Sequence, residues 1–157
     1  KILYHFQKIY YNHSMNTSKI TPFLWFDKNL KEITSFYKSV FPSATITSNG
    51  ELSDTPSGNV EMATMEILGQ KLSMMTAGPM FKFNEAISFV INCDNQEEID
   101  YYWSKLSSVK ESEQCGWCKD KYGLSWQIVP ENMGELMKRP NAFAHLMEMK
   151  KLVIENF

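Results

Sequence analysis

Histidine is almost missing from this sequence. Among its 157 residues only His5, His13 and His145 occur, and none stands between Met15 and Pro140. That long stretch has no imidazole to serve as a metal ligand, a general base or a member of a Ser-His-Asp triad. Glycine is sparse too, and the seven glycines form neither a G-x-G-x-G turn after a strand nor a P-loop nor a nucleophile elbow, so the usual marks of S-adenosylmethionine binding, phosphate cradling and serine hydrolysis are absent. An excess of one charge is lacking as well. Sixteen basic against eighteen acidic residues give a net charge of −2, which offers no electrostatic footprint for nucleic acid or for an acidic membrane surface. No apolar run reaches the ~20 residues of a spanning helix, and no segment has the basic, apolar, small order of a signal peptide; a cytoplasmic protein is expected. The three cysteines, Cys93, Cys115 and Cys118, are an odd number without a disulfide-framework spacing. Cys115-Gly-Trp-Cys118 matches C-x-x-C, but it is expected within a strand, where positions three apart point to opposite faces, and no second pair completes a metal site.

What is present is a chain of one-domain size with 43% hydrophobic and 13% aromatic residues, enough for a substantial core. Residues 1–14 carry Lys1, His5, Lys8 and His13 without an acid; they are read as a leader outside the fold, with Met15 the natural start. Ile20 to Phe26 is an apolar and aromatic strand. Asp27-Lys28-Asn29 then caps a helix that places Leu30, Ile33, Phe36, Tyr37 and Val40 on one face and stops at Phe41-Pro42. The polar stretch Ser43 to Asn59 predicts a short strand near Thr45 to Thr47 and a loose loop. Val60 to Leu68 and Lys71 to Thr76 form a hairpin about Gly69-Gln70.

After Ala77-Gly78-Pro79 the same order begins again. Ala86 to Cys93 is a strand, and Asp94 caps a helix over Gln96 to Leu106 with Ile99, Tyr102, Trp103 and Leu106 on one face. Short strands then lead to a hairpin whose first strand ends near Lys119, turns at Asp120-Lys121-Tyr122-Gly123 and returns over Leu124 to Val129, closed by Pro130. Alternation gives Leu124, Trp126 and Ile128 to a core and Ser125, Gln127 and Val129 to a wetter face. Glu131 to Lys138 and Asn141 to Lys151 read as terminal helices broken at Arg139-Pro140, with Met137, Leu146, Met147 and Met149 as packing residues.

The segments Ile20-Thr-Pro-Phe-Leu-Trp-Phe26, Phe36-Tyr37, Ala77-Gly78-Pro79, Phe81 to Phe89, Tyr101-Tyr-Trp103 and Gln114-Cys-Gly-Trp117 through Trp126-Gln-Ile-Val-Pro130 resemble the PhnB-like branch of the vicinal oxygen chelate superfamily. That superfamily includes glyoxalase I, extradiol dioxygenases and bleomycin-resistance proteins, and this branch also bears the label 3-demethylubiquinone-9 3-methyltransferase. The resemblance covers about Lys19 to Pro130. It implies an α+β fold of duplicated βαβββ modules, module one about 19–79 and module two about 80–130, whose sheets curve around a cavity, with terminal helices over 131–157 completing a single domain of 15–157.

Superfamily enzymes hold a divalent metal with His, Glu or Gln on the outer strands of each module, where it polarises substrate oxygens. By register the resemblance puts those four positions at or near Thr21, Ser73, Ser88 and Gln127. Three hydroxyls and an amide make a poor set for a catalytic divalent ion, so no metal and no cofactor is expected. The strand alternation instead offers a ligand wall of Thr21, Phe23, Trp25, Ser73, Met75, Ser88, Val90, Asn92, Ser125, Gln127 and Val129, suited to a small, weakly polar or aromatic molecule. Two other readings stay open. One is a lyase, isomerase or dioxygenase-like enzyme with catalytic groups elsewhere, for which Glu61 and Glu66 are the only body acids to nominate; the other is an interaction module with an exposed apolar sheet edge and no cavity. Phe81, Phe83, Met137, Phe143, Leu146 and Met147 exceed what two modules need and predict a homodimer.

Overall fold

A computed structural model describes residues 19–157; the leader 1–14 lies outside them. The chain divides into two compact units, the first ending at Phe81 and the second running Lys82–Phe157. The first holds β1 (Phe23–Phe26), α1 (Leu30–Val40), β2 (Thr45–Thr55), β3 (Gly58–Ile67) and β4 (Gln70–Thr76). Its sheet has the order β1-β4-β3-β2, with β1 parallel to β4 and the other neighbours antiparallel. Asn29 begins α1 from a left-handed conformation, and its side chain accepts the Glu32 N–H at 3.2 Å while its amide donates to Glu32 Oε2. Such a cap is worth about 1 kcal/mol. The helix buries Leu30, Ile33, Thr34, Tyr37 and Val40, the face its 3.6-residue spacing predicts, and Tyr37 meets Phe26 of β1 edge to face at 6.4 Å.

The second unit repeats the plan with β5 (Ser88–Cys93), α2 (Gln96–Leu106), a 3-10 turn (Lys110–Ser112), β6 (Trp117–Lys119) and β7 (Ser125–Pro130). The order β5-β7-β6 reproduces β1-β4-β3, again with a parallel first pair. It stops one strand short of the first sheet, because the polar segment Lys110-Glu-Ser112 forms a 3-10 turn where the first unit runs β2. Helix α3 (Met133–Leu136), helix α4 (Ala142–Glu148) and a final 3-10 turn (Ile154–Asn156) complete the unit.

Three expectations are corrected. The stretch foreseen as a short strand and loose loop is β2, eleven residues paired along β3 with two irregularities; an edge strand exposed on both faces carries no apolar alternation for a sequence reading to detect. The second helix is capped by Asn95, whose side chain accepts the Glu98 N–H at 3.0 Å, while Asp94 donates its own N–H to Glu98. The terminal helices are shorter than foreseen, since Asn141 takes a positive φ just after Pro140 and Met149 is already extended. Leu136, Ala142, Leu152 and Phe157 form a core there, with Met137, Leu146 and Met149 packed on it. Met147 is exposed instead. Gln96 pins the tail by donating to the Leu152 carbonyl and accepting from the Ile154 N–H.

The hairpin β6–β7 turns where the sequence places it. Gly123, at φ 84°, donates its N–H to the Asp120 carbonyl at 2.9 Å. Asp120 is fully buried, and its carboxylate accepts the N–H groups of Tyr122 (2.9 Å) and Leu124 (3.1 Å) and the indole N–H of Trp126 (3.0 Å). Replacing it with alanine strands three donors, each costing about 1–3 kcal/mol when buried without a partner. Asp120→Ala is therefore expected to lower unfolding free energy in urea by about 3 kcal/mol or more, and Asp120→Asn, which keeps one acceptor oxygen, by less; an alanine variant as stable as the parent would show that the turn does not depend on this carboxylate.

Candidate functional site

In the first unit, register aligns Phe23 with Ser73 and Trp25 with Met75, and Ser73 and Met75 with Thr64 and Met62 of β3. These residues share one face of the sheet, opposite the face of Leu24, Met74 and Ala63. The face is largely closed by its own side chains. Met62, Met75, Val60 and Ala77 form a buried cluster against Trp25 and Leu52. The Trp25 indole donates to the Gly78 carbonyl at 2.9 Å and meets the Phe81 ring edge-on at 5.0 Å. Ser73 is buried, and its hydroxyl hydrogen-bonds that of Thr64 at 3.2 Å. Thr21 precedes β1 and is exposed, so only Phe23 and Trp25 of the first-strand candidates lie on the strand itself.

In the second unit the corresponding face is built in rows. Ser88, Ser125 and Lys119 are aligned across β5, β7 and β6, and beside them Val90, Gln127 and Trp117. A third row, Asn92 and Val129, adjoins the C-terminal core, against which Val129 packs. The opposite face carries Leu124, Trp126 and Ile128, all buried, as the alternation predicts. Gln127 Nε2 donates to Ser88 Oγ at 2.8 Å. Val90 remains 52% exposed. Ser125 is 1% exposed and its hydroxyl has no hydrogen-bond partner among the described residues. The structure thus brings Ser88, Val90, Ser125 and Gln127 together on one face, with Asn92 at its exposed margin.

Two residues of this site escaped the sequence reading. Lys119 appeared there only as a strand end, yet its side chain is half-buried and its ammonium pairs with the exposed Glu85. That hydrogen bond holds the Glu85 carboxyl below the usual range of its kind. Glu85 and Trp117 also border an open groove of about 410 Å³ together with Ser112, Gln114 and Cys115. The exact hairpin register, which sets Lys119 against Ser125, could have signalled Lys119, whereas Glu85 had no local signal.

The C-x-x-C motif is corrected. Cys115 (φ 49°) and Gly116 (φ 85°) form a turn ahead of β6 rather than part of a strand. Their N–H groups donate to the carbonyls of Met149 and Lys150, and a Cβ on Gly116 would meet the Ile128 carbonyl at 3.0 Å, which explains the glycine. Cys118 is buried, and desolvation, with the charges of Asp120 and Glu113 adding, pushes its thiol up to about 12; burial, with Glu98 and Asp94, does the same at Cys93. Cys115 is half-buried, its thiol 3.7 Å from the Met147 sulfur.

Among the described residues no three His, Cys, Asp or Glu side chains gather as a metal site would require. At the positions that the resemblance assigns to metal ligands, Ser73 is engaged by Thr64, and Gln127 and Ser88 by one another. This donor set does not fit a catalytic divalent ion. No helix among the described residues is long and apolar enough to cross a membrane.

Sheets of this order, each with a parallel outer pair spanned by a helix, define the glyoxalase/bleomycin-resistance fold of the vicinal oxygen chelate superfamily. A family model for 3-demethylubiquinone-9 3-methyltransferase matches residues 18–129, and the chain belongs to that PhnB-like family. A PhnB protein from Bacillus cereus is 30% identical, with 72% of this chain and 99% of that one covered at a TM-score of 0.59. Protein PA1353 from Pseudomonas aeruginosa is similar in fold at 18% identity, 73% and 98% coverage and a TM-score of 0.54. So is the fosfomycin resistance protein FosX from Listeria monocytogenes, whose structure holds Mn(II) and sulfate, at 17% identity, 78% and 98% coverage and a TM-score of 0.50. No curated protein matches the sequence significantly.

The thiol environments predict reactivity. With 5,5′-dithiobis(2-nitrobenzoate) at mildly alkaline pH, Cys115 alone of the three cysteines is expected to react in the native protein, and all three after unfolding, because buried thiols with raised pKa hold little thiolate. Rapid native labelling that persists in a Cys115→Ser variant would contradict this assignment.

Proposed function

We propose that this PhnB-like protein binds a small, weakly polar or aromatic molecule and does so without a divalent metal. The observation that carries the reading is the fate of the four metal-ligand positions. They hold three hydroxyls and an amide, and Ser88 and Gln127 satisfy each other at 2.8 Å, which is the behaviour of a hydrogen-bonding surface and not of a Lewis-acid site. Beside them Val90 and Trp117 supply apolar and aromatic surface, a combination typical of small-molecule sites.

An enzyme on the same scaffold is the competing reading, and manganese-bound FosX is its fold precedent. The acid it would draw on first, Glu61, already accepts hydrogen bonds from the Leu30 N–H at the start of α1 and from the Thr76 hydroxyl. That is a helix-supporting role. Elemental analysis of the purified protein is expected to find no stoichiometric zinc, nickel, iron or manganese, and a thermal-shift panel of quinones, aromatic acids and thiol conjugates to yield a stabilising ligand. A ligand at a hundred times its Kd stabilises by about 2.7 kcal/mol. One retained transition metal per chain, lost in Gln127→Ala, would overturn the metal-free reading.

The proposed working form is a cytoplasmic homodimer. Phe143 (66% exposed), Met147, Met80 and Phe81 are large apolar side chains on the surface, the composition from which twofold interfaces are made. Light scattering at micromolar concentration is expected to give twice the 18.2 kDa chain mass, and a single species at the chain mass would overturn the dimer.

A further inference from the structure

The strongest unexplained feature of the second unit is the Ser125 hydroxyl, buried to 1% exposure and without a hydrogen-bond partner among the described residues. A hydroxyl in that condition is destabilising unless something satisfies it, and its surroundings indicate what that is. Side chains directly opposite across paired strands lie about 5 Å apart at Cβ, so the alignment of Ser88, Ser125 and Lys119 sets two hydroxyls and an ammonium in a row. Ser88 accepts from Gln127, and its own proton remains available to donate. All three are donors by chemistry, and the register puts them side by side on one face of the sheet. Among the described residues Lys119 pairs with Glu85, whose side chain is 63% exposed, whereas that of Lys119 is 20% exposed. Glu85 is thus an exposed carboxylate on a half-buried lysine, open to exchange for another anion. The adjoining row, Val90, Gln127 and Trp117, provides an apolar and aromatic floor, and Trp117 and Glu85 border the groove beside it.

We infer that this row is an anion-recognition site for the carboxylate of a small aromatic acid, with Glu85 occupying Lys119 until the ligand displaces it. The inference rests on the small-molecule reading above and names its ligand class. Lys119 supplies the charge, Ser125 and Ser88 donate to the carboxylate oxygens, and the ring lies over Val90 and Trp117. Charge-assisted hydrogen bonds of this kind are about twice as strong as neutral ones, so the acid is distinguished from its neutral isostere.

Benzoate and benzamide, which share a ring and differ in charge, are the probes, titrated calorimetrically into the full-length protein and its variants. Benzoate is expected to bind at least about tenfold more tightly than benzamide, as a charge-assisted contact implies, and Lys119→Gln to abolish that preference while benzamide binding persists. Glu85→Gln, at an exposed position, is expected to tighten benzoate severalfold and leave benzamide unchanged. Ser125→Ala is expected to weaken benzoate while the melting temperature holds or rises, an opposition that a purely structural hydroxyl would not produce. Equal binding of the two probes, benzoate binding that is lost in Glu85→Gln, or a preference that survives Lys119→Gln would each overturn the inference while leaving small-molecule binding standing. Failure of every compound in the broader thermal-shift panel would remove the small-molecule reading itself.

Discussion

The second sheet depends on one buried carboxylate. Asp120 gathers two backbone N–H groups and the Trp126 indole N–H into its two oxygens, and in doing so it fixes the register of β6 against β7. A strand shifted by one residue presents its other face. With Trp126 held to Asp120, Trp126 and Cys118 must face the core, and Ser125, Gln127, Lys119 and Trp117 must face away from it. The arrangement of the candidate site therefore follows from a turn residue whose own side chain points to the core. Burial of so polar a group is tolerable because both oxygens are used, and the Asp120 charge in turn contributes to keeping the Cys118 thiol protonated.

Much of the fold was legible because its helices and inner strands bury one face each. The 3.6-residue spacing of Leu30, Ile33, Tyr37 and Val40 and the alternation of Leu124, Trp126 and Ile128 are direct imprints of burial on sequence. Where burial imposes nothing, the sequence is silent. Strand β2 is an exposed edge held by backbone hydrogen bonds to β3, and those bonds are indifferent to side chains. The choice between Asp94 and Asn95 as a helix cap turned on one residue of phase, since both can accept a hydrogen bond. The C-x-x-C segment read as strand because Trp117 and Cys118 are strand residues; the positive φ of Cys115, which lacks glycine's freedom, had no local signal.

The candidate site was legible in facing and not in chemistry. Alternation put Ser125 and Gln127 on the face opposite Leu124, Trp126 and Ile128, and parallel pairing with β5 added Ser88 and Val90, but that face is not the wetter one expected throughout, since Ser125 is buried and Val129 packs on the C-terminal core. Lys119 and Glu85 became visible only through tertiary register and an ion pair between segments 34 residues apart in sequence. No pattern in the chain distinguishes a strand-end lysine in solvent from one half-buried in an ion pair.

The two units share a topology but fill the same face differently, and that difference argues about where recognition lies. In the first, Trp25 is fastened to the Gly78 carbonyl and capped by Phe81, Met75 and Met62 are packed together, and Ser73 is satisfied by Thr64. That face is spent on stability. In the second, Ser125 keeps a buried hydroxyl that alanine would replace without loss of apolar packing, at a standing cost of about 1–3 kcal/mol. Residues that break a local rule with no compensating contact are characteristic of sites held for function and not for folding. A donor held in place in advance also loses little entropy when an acceptor arrives, so under the proposed reading the cost of the unsatisfied hydroxyl would be returned as selectivity for a ligand that carries the acceptor. By that reasoning the recognition proposed above falls to the second unit, since the first has filled the equivalent face with its own side chains.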